Sequence, residues 1–273
     1  MHSLQIRPPA VAGLFYPDDP DVLSGEITAL LDEEAVPPAP TLRQPKALIA
    51  PHAGYIYSGP IAASAYRRLK PYAETIRRVV LFGPCHRVAV RGLAVPRARA
   101  FATPLGTISL DEAALATALE LPQVIAHDAA HAEEHSLEVH LPFLQSVLED
   151  FTLAPFAVGF ATPDEVAEVM ERLWGGPETL IVVSSDLSHY RGYLEAQRLD
   201  GRTAEEIKRL HLLTDHEQAC GATPINGLIE VAQRRGLKPE LLDLRNSGDT
   251  AGDKSRVVGY ASFAFYAPEA GHA

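Results

Sequence analysis

Three short apolar segments of this chain each run into a polar loop that contains a histidine. They are residues 47–50, 79–82 and 180–183. Their length and aliphatic content are typical of buried strands. The loops that follow carry His52, His86 and His189. Because ligands bind outside the carboxyl ends of the strands in open α/β sheets, the pattern predicts a binding site at one edge of a sheet.

The composition excludes several classes of protein. Of the 273 residues, 47% are hydrophobic and 22% are charged, which is ordinary for a globular chain. The formal net charge is −11 and lysine and arginine form no cluster, so we expect no nucleic-acid partner. No apolar run approaches the roughly 18 residues of a membrane span, and the first residues lack the apolar core of a signal peptide. We therefore expect a soluble, cytoplasmic protein with no membrane partner.

Alternating strand and helix patterns predict one α/β domain over residues 1–273, with an extended arm over residues 1–20. Periodicity and capping signals predict helices within residues 21–34, 61–69, 111–119, 142–148, 194–218 and 225–235. A further helix is predicted to begin at residue 162. Further strands are predicted at residues 93–95, 153–158, 241–244 and 257–263. Loops are predicted at residues 35–45 and 246–256.

Two of the strand-end histidines, His52 and His86, are candidate metal ligands, because neutral imidazole commonly binds zinc, iron and copper. Alternatively, both are loop histidines held by backbone hydrogen bonds. At the third strand end, Asp186 precedes His189 by three residues, and a carboxylate there can orient the imidazole or share its ligand set. Asp186 can equally cap the start of a helix.

Residues 127–140 contain four histidines and three glutamates, which is more titratable groups than a solvated surface usually carries. The spacing is not the helical HExxH of a zinc protease. We predict that His135, Glu138 and His140, which precede an apolar segment, border a cleft. For His127 and His131, a solvent-exposed acidic segment is an equally good interpretation.

The chain has two cysteines, Cys85 and Cys220, which are too few for a disulfide framework. Cys220 stands directly before a predicted helix. A helix N-terminus lowers the pKa of a thiol and favours the thiolate that binds metal. The alternative is a small buried residue, a common role of free cysteine.

Six ordered motifs together resemble the Memo-like family, and the resemblance covers nearly the whole chain. The motifs are PHAGYIYSG, GPCH, EEHSLEVHLPFL, SSDLSHY, ACGATPI and NSGDTAGDKSRVVGYASFAF. That family resembles the catalytic subunits of the class III extradiol ring-cleaving dioxygenases, which are non-haem Fe(II) enzymes. The resemblance implies a three-layer α/β/α sandwich around a mixed sheet.

The resemblance also implies a metal pocket formed by His52, His86 and Cys220, where the thiolate replaces the carboxylate of the dioxygenases. His189 matches the acid/base histidine of those enzymes, with Asp186 beside it. The implied pocket lining comprises His135, Glu138, His140, Tyr55 and Cys85. The family usually has Gly-Pro-Ser-His-His where this chain has Gly-Pro-Cys-His-Arg; Cys85 is then a buried substitute for serine, a second soft ligand or a redox partner.

Three functions are consistent with these residues. The first is an oxidoreductase that uses Fe(II) and O₂ on an aromatic or activated substrate; a thiolate ligand shifts the metal preference toward copper or zinc. The second is a non-enzymatic metal-binding or scaffold protein, since fold does not fix function. The third is a zinc-dependent hydrolase. The resemblance further implies a radical-SAM partner protein, while the substrate, a small molecule or a peptide, stays open.

Overall fold

The structure is a computed structural model that describes residues 6–32 and 43–268. Its strands are β1 (Ile6–Arg7), β2 (Ala47–Ala50), β3 (Arg78–Pro84), β4 (Leu93–Val95), β5 (Ala100–Thr103), β6 (Gly106–Ser109), β7 (Val124–Ala126), β8 (Thr152–Val158), β9 (Thr179–Ser184), β10 (His189–Arg191), β11 (Lys238–Asn246) and β12 (Val257–Tyr266). Its α-helices are α1 (Pro20–Asp32), α2 (Tyr55–Tyr66), α3 (Glu112–Ala118), α4 (Ala129–Ala132), α5 (His135–Glu138), α6 (Leu141–Val147), α7 (Pro163–Arg172), α8 (Tyr193–Lys208), α9 (Ala222–Arg235) and α10 (Ser247–Thr250).

Within the described residues, nine strands form a central mixed sheet in the order β10-β12-β2-β9-β3-β8-β4-β7, with β11 paired to β12. The four central strands, β2, β9, β3 and β8, run parallel to one another. β12 runs antiparallel to β2, and β4 runs antiparallel to β8. Helices flank the sheet: α2 packs against β2 and β12, and α9 packs against β3 and β9.

The three predicted strands that precede histidines are confirmed as β2, β3 and β9, three neighbours in the parallel part of the sheet. Every residue of β2 and β9 is buried, which explains their uninterrupted apolar sequences. Parallel strands end at the same edge of a sheet. His52 and His86 each follow their strand by two residues, so both loops lie at that edge.

Helix α2 begins at Tyr55, six residues before the predicted start. Gly59 and Pro60 lie inside this helix. A Cβ atom on residue 59 would lie 2.9 Å from Leu30 Cδ1, so glycine permits close packing of α1 on α2. The early start of α2 shortens the loop that carries His52.

Several other boundaries differ from the prediction. Within the predicted helical stretch 194–218, α8 ends at Lys208 and Leu210 adopts a φ of 56°. α9 begins at Ala222 and ends at Arg235, and the following Gly236 has a φ of 66° that suits a helix C-cap. The loop predicted at 246–256 opens with helix α10. Residues 33–42, which include most of the loop predicted at 35–45, lie outside the described part of the chain.

The described part of the N-terminal arm, which begins at Ile6, is attached to the body by a buried ion pair between Arg7 and Glu138, which are 6% and 0% exposed. Residues 1–5 of the predicted arm lie outside the described part of the chain. The Glu138 carboxylate also accepts the N–H groups of Ala10 and Val11 at 2.7 and 2.9 Å, and the hydroxyl of Tyr16 at 2.6 Å. Four donors therefore satisfy this carboxylate away from solvent. The prediction that Glu138 borders the cleft is wrong, because its side chain faces the arm.

Arg7 also contacts the segment that carries the histidine-rich motif. Its guanidinium donates to the carbonyl oxygens of His131 and Glu134, both at 2.8 Å. In the described part of the chain, no helix is long and apolar enough to cross a membrane.

Candidate metal centre

The sheet edge brings together the three residues that the resemblance assigns to metal binding. The potential ligand atoms of His52, His86 and Cys220 all lie within 4.8 Å of one another. Cys220 Sγ is 3.4 Å from His52 Nε2. A tetrahedral ion bound at about 2.0–2.3 Å separates its nitrogen and sulfur ligands by about 3.5 Å, so these side chains are spaced to hold one ion.

Cys220 reaches this edge because its loop lies directly against the end of β9. A Cβ atom on Gly221 would lie 2.6 Å from the carbonyl oxygen of Ser184. Only glycine allows this approach. Cys220 itself donates its backbone N–H to the carbonyl oxygen of Asp186 at 3.3 Å. Two loops distant in sequence are therefore joined at the candidate centre.

Hydrogen bonds of Ser184 fix the tautomer of His52. The Ser184 hydroxyl donates its proton to the carbonyl oxygen of Ser136 at 2.6 Å. It therefore accepts from His52 Nδ1, which lies 2.6 Å away. This leaves the unprotonated Nε2 of His52 directed at Cys220, as metal ligation requires. Burial, and to a lesser extent the neighbouring histidines, lower the pKa of His52 well below its usual value, so the ring is neutral.

Glu134 fixes the tautomer of His86, as Ser184 does for His52. Its buried carboxylate accepts the backbone N–H of His86 at 2.5 Å and lies 2.9 Å from His86 Nδ1. Burial alone would raise the pKa of Glu134, but hydrogen bonds from His86 and from the N–H of Ser136 lower it to about 2. An ionised Glu134 accepts a hydrogen bond from the protonated Nδ1 of His86, which leaves Nε2 of His86 free for a metal.

We expect Ser184→Ala to weaken metal binding by about 10- to 100-fold, the usual effect of removing a group that orients a metal ligand. The substitution leaves His52 Nδ1 without its partner and frees the ring to change tautomer. Metal affinity measured by competition with a chelator tests this. Ser146→Ala is the matched control, because the exposed Ser146 hydroxyl bonds only within α6, to the Pro142 carbonyl oxygen. Equal affinities in the two variants would contradict the role of Ser184.

The pKa of the Cys220 thiol differs from the sequence prediction. Burial, reinforced by the charge of Asp186, raises the pKa of Cys220 to about 12. The predicted lowering of this pKa by a helix N-terminus is wrong, because burial and the nearby Asp186 outweigh it. The thiol is therefore protonated at neutral pH, and a metal ion must displace that proton to bind sulfur.

Asp186 supports the His52 loop and caps no helix. Its Oδ1 accepts the backbone N–H of His52 at 2.7 Å, and its Oδ2 lies 4.0 Å from His52 Nε2. The chain continues into β10, so the helix-capping alternative is wrong. Burial raises the pKa of Asp186 to about 7. A carboxyl group with this pKa can exchange a proton near neutral pH.

His189 Nδ1 lies 2.9 Å from the carbonyl oxygen of Leu187. A carbonyl oxygen only accepts, so Nδ1 carries the proton and Nε2 is open as a proton acceptor. Burial lowers the pKa of His189, which keeps the ring neutral and able to act as a base.

Two cavities adjoin these residues. One, of about 500 Å³, is lined by Asp186, His189 and His135. Its remaining walls include the aromatic side chains of Phe15, Tyr57, Tyr190 and Tyr260. The other, of about 420 Å³, is lined by His86 and Cys220. The smaller cavity therefore opens onto the candidate ligands, and the larger one lies beside them through His135 and Asp186. The larger cavity has the volume and aromatic walls of a small-molecule site.

A family model described as Memo-like protein matches residues 7–264 of this chain. The chain belongs to the Memo-like family. It is 37% identical over 275 residues to a MEMO1 family protein of Aquifex aeolicus, covering 96% of this chain and 100% of that one. It is 35% identical over 282 residues to a MEMO1 family protein of Sulfolobus acidocaldarius, with 95% and 99% covered.

A solved structure, the uncharacterized protein JW3007 from Escherichia coli K12, has a similar fold. The TM-score is 0.50 at 12% sequence identity, and the match covers 81% of this chain and 99% of that chain. At this identity the likeness shows the fold alone: a central mixed sheet flanked by helices.

In this Memo-like protein, His135 lies against both histidines of the centre. Its ring stacks on His86 with centroids 4.7 Å apart and meets His52 edge-on at 5.3 Å. Cys85 lines the second cavity, and its thiol lies 3.1 Å from the carbonyl oxygen of Val88. Both residues are therefore beside the candidate ligands.

Tyr55 and His140 are placed differently from the prediction. They are 2% and 1% exposed and line neither cavity. The Tyr55 hydroxyl donates to the Val139 carbonyl oxygen at 2.8 Å, and His140 Nδ1 lies 2.7 Å from the Tyr66 hydroxyl. Both side chains belong to the core behind the centre, where apolar neighbours and single polar partners suit their aromatic rings.

Among the other histidines, His131 is 2% exposed and its Nε2 lies 2.9 Å from the Ala94 carbonyl oxygen. The solvent-exposed alternative is therefore wrong for His131. The half-buried His127 accepts the Ala130 N–H at Nδ1, 3.2 Å away.

Proposed function

We propose that this protein is a metal-dependent oxidoreductase that holds a non-haem iron or copper ion with His52, His86 and Cys220. The convergence of these three side chains beside an aromatic cavity carries the proposal. A scaffold that binds no metal would not need the matched histidine tautomers, and a purely metal-binding role would not need the adjoining cavity. We further propose that the flanked sheet is the three-layer α/β/α sandwich of the extradiol dioxygenases.

The donor set fits such an ion. Ser184 and Glu134 leave a free Nε2 on each histidine, and Cys220 supplies one anionic sulfur after deprotonation. Two imidazoles and one anionic ligand resemble the facial triad of non-haem iron enzymes, which leaves positions open. When bound, iron or copper supplies one-electron chemistry and a site for dioxygen. Iron(II) matches the resemblance, whereas the thiolate favours softer metals such as copper or zinc.

The protein residues would bind the substrate and move its proton. His189, neutral and with Nε2 open, is placed in the cavity wall to accept a proton. Asp186 lies in the same wall and has a pKa near 7, so it can exchange protons alongside His189. The aromatic walls would exclude water from one side of the substrate.

We expect His189→Gln to keep the metal content within about twofold but to reduce turnover by about 10²- to 10⁴-fold, the usual contribution of a general acid or base. The measurement is oxygen uptake by protein reconstituted anaerobically with Fe(II) or Cu(I), using a panel of aromatic substrates. His211→Gln is the control, because this exposed histidine lines neither of the two cavities.

Other outcomes point to other functions. Equal loss of metal in His189→Gln would make His189 a ligand. Turnover with zinc in the absence of oxygen would show that the protein is a hydrolase and not an oxidoreductase. Full metal occupancy without oxygen uptake would favour a metal-binding role beside a partner, such as the radical-SAM protein that the resemblance implies.

A further inference from the structure

The outer part of the aromatic cavity contains a tyrosine in an unusual backbone conformation. Tyr190 has a φ of 57°, which non-glycine residues rarely adopt. It lies where the β10–β12 ladder shifts register, between the pairs His189–Val258 and Arg191–Val257. Such bulges re-aim a side chain. Here the Tyr190 ring is 63% exposed and lines the cavity next to His189.

The guanidinium group of Arg256 stacks on the Tyr190 ring. The guanidinium carbon of Arg256 lies 5.1 Å from the ring centroid, and Arg256 lines the same cavity. Stacking on an aromatic face restrains a guanidinium while leaving its N–H edge open. The subsite formed by Arg256 and Tyr190 therefore presents a pre-positioned cation to the cavity.

Arg256 has no carboxylate partner among residues 6–32 and 43–268 within ion-pair distance. The carboxylate of Asp253, in the same cavity wall, instead accepts the N–H of Ser255 at 2.6 Å. The whole chain has a net charge of −11, so an anion needs a local cation to bind here. The N–H groups of Arg256 are thus available for a ligand.

We propose that Arg256 and Tyr190 bind the oxyanion of a planar, aromatic substrate and thereby determine specificity in the cavity. The proposal rests on the proposed function, since it names the substrate class of that site. A guanidinium binds a carboxylate or a phosphate through two parallel hydrogen bonds. The rings of Phe15, Tyr57 and Tyr260 offer apolar faces for the planar part of the same ligand. The bound oxyanion would hold the other end of the ligand toward His189.

The test measures binding of three small probes to the metal-free protein by ligand-observed NMR titration. Benzoate and phenyl phosphate carry the two candidate oxyanions, and benzamide has the same ring without charge. We expect wild-type protein to bind at least one anionic probe about tenfold more tightly than benzamide. The tighter of the two anions assigns the substrate as a carboxylate or a phosphate.

Arg256→Gln should weaken binding of that anion about tenfold and change benzamide binding less than twofold. Arg202→Gln is the matched control: it removes the same charge from an exposed position on α8, outside the cavity. Tyr190→Asn removes the ring that restrains Arg256 but keeps the backbone conformation, because asparagine tolerates a positive φ. We expect it to reduce anion affinity less than Arg256→Gln does. Anions bound no more tightly than benzamide, or equal losses in Arg256→Gln and Arg202→Gln, would overturn the proposal.

The metal content of Arg256→Gln, measured in parallel after reconstitution, separates this proposal from the proposed function. If wild-type protein selects anions but binds no metal, the anion subsite is supported and the oxidoreductase proposal is contradicted. If it binds metal normally but does not select anions, the metal centre is supported and the anion subsite is contradicted.

Discussion

Cys220→Ser is expected to lower the metal content of the anaerobically purified protein by well over tenfold. Cys220 contributes the only anionic donor of the candidate triad, and a serine hydroxyl stays protonated where a thiol can become a thiolate ligand. Serine is close to cysteine in volume, so the partly exposed site should keep its shape. Inductively coupled plasma mass spectrometry of the wild type and the variant gives the comparison directly.

Cys85→Ser provides the matched control for this loss. Cys85 is the other free cysteine and lines the cavity on the Cys220 side, yet it is not in the group whose ligand atoms lie within 4.8 Å. We expect its substitution to leave the metal content unchanged, whereas His52→Ala should lower it as Cys220→Ser does. Full occupancy in Cys220→Ser would exclude sulfur ligation, and loss in Cys85→Ser would add a second sulfur to the centre.

The sheet edge was predictable because its evidence is local. Uninterrupted apolar segments specify buried strands, and a proline or a polar residue ends each one. The parallel order of β2, β9 and β3 then places His52 and His86 together. Cys220 was assigned only by the resemblance, since its contact with His52 joins residues 168 positions apart.

The roles of the glutamates were not predictable from spacing. Glu134 and Glu138 lie in one motif, yet the first holds His86 and the second holds Arg7. Which way each points depends on where helix α5 starts and on how the arm lies over it, and both are tertiary features. The adjacency of Glu134 to His135 was the available signal, but its partner is 48 residues away.

The pKa of Cys220 shows a similar limit. A position just before a helix favours a thiolate only if the thiol reaches the free N–H groups of the first turn. Here Sγ instead lies 3.6 Å from the Asp186 carbonyl oxygen, and burial raises the pKa of the thiol. Burial and a neighbouring carboxylate outweigh the helix, and neither is visible in the order of residues.

Glu138→Ala is expected to reduce the free energy of unfolding by about 3–5 kcal/mol, the usual cost of leaving one buried charge without its partner. The substitution leaves the 6% exposed guanidinium of Arg7 unpaired and three further donors without an acceptor. Urea unfolding followed by circular dichroism measures the loss. Glu112→Ala, which breaks the exposed pair with Arg99, should change stability little and serves as the control.

Glu138→Gln separates the charge from the shape. Glutamine keeps an oxygen for the arm but loses the negative charge, so we expect a loss smaller than that of Glu138→Ala. The arm also contacts the centre, because Arg7 donates to the Glu134 carbonyl oxygen and Phe15 packs 4.9 Å from His135. Metal affinity in Glu138→Ala should therefore fall as well. A loss of stability no larger than that of Glu112→Ala would mean that Arg7 finds another partner. The arm would then be held by β1, which pairs parallel to β5.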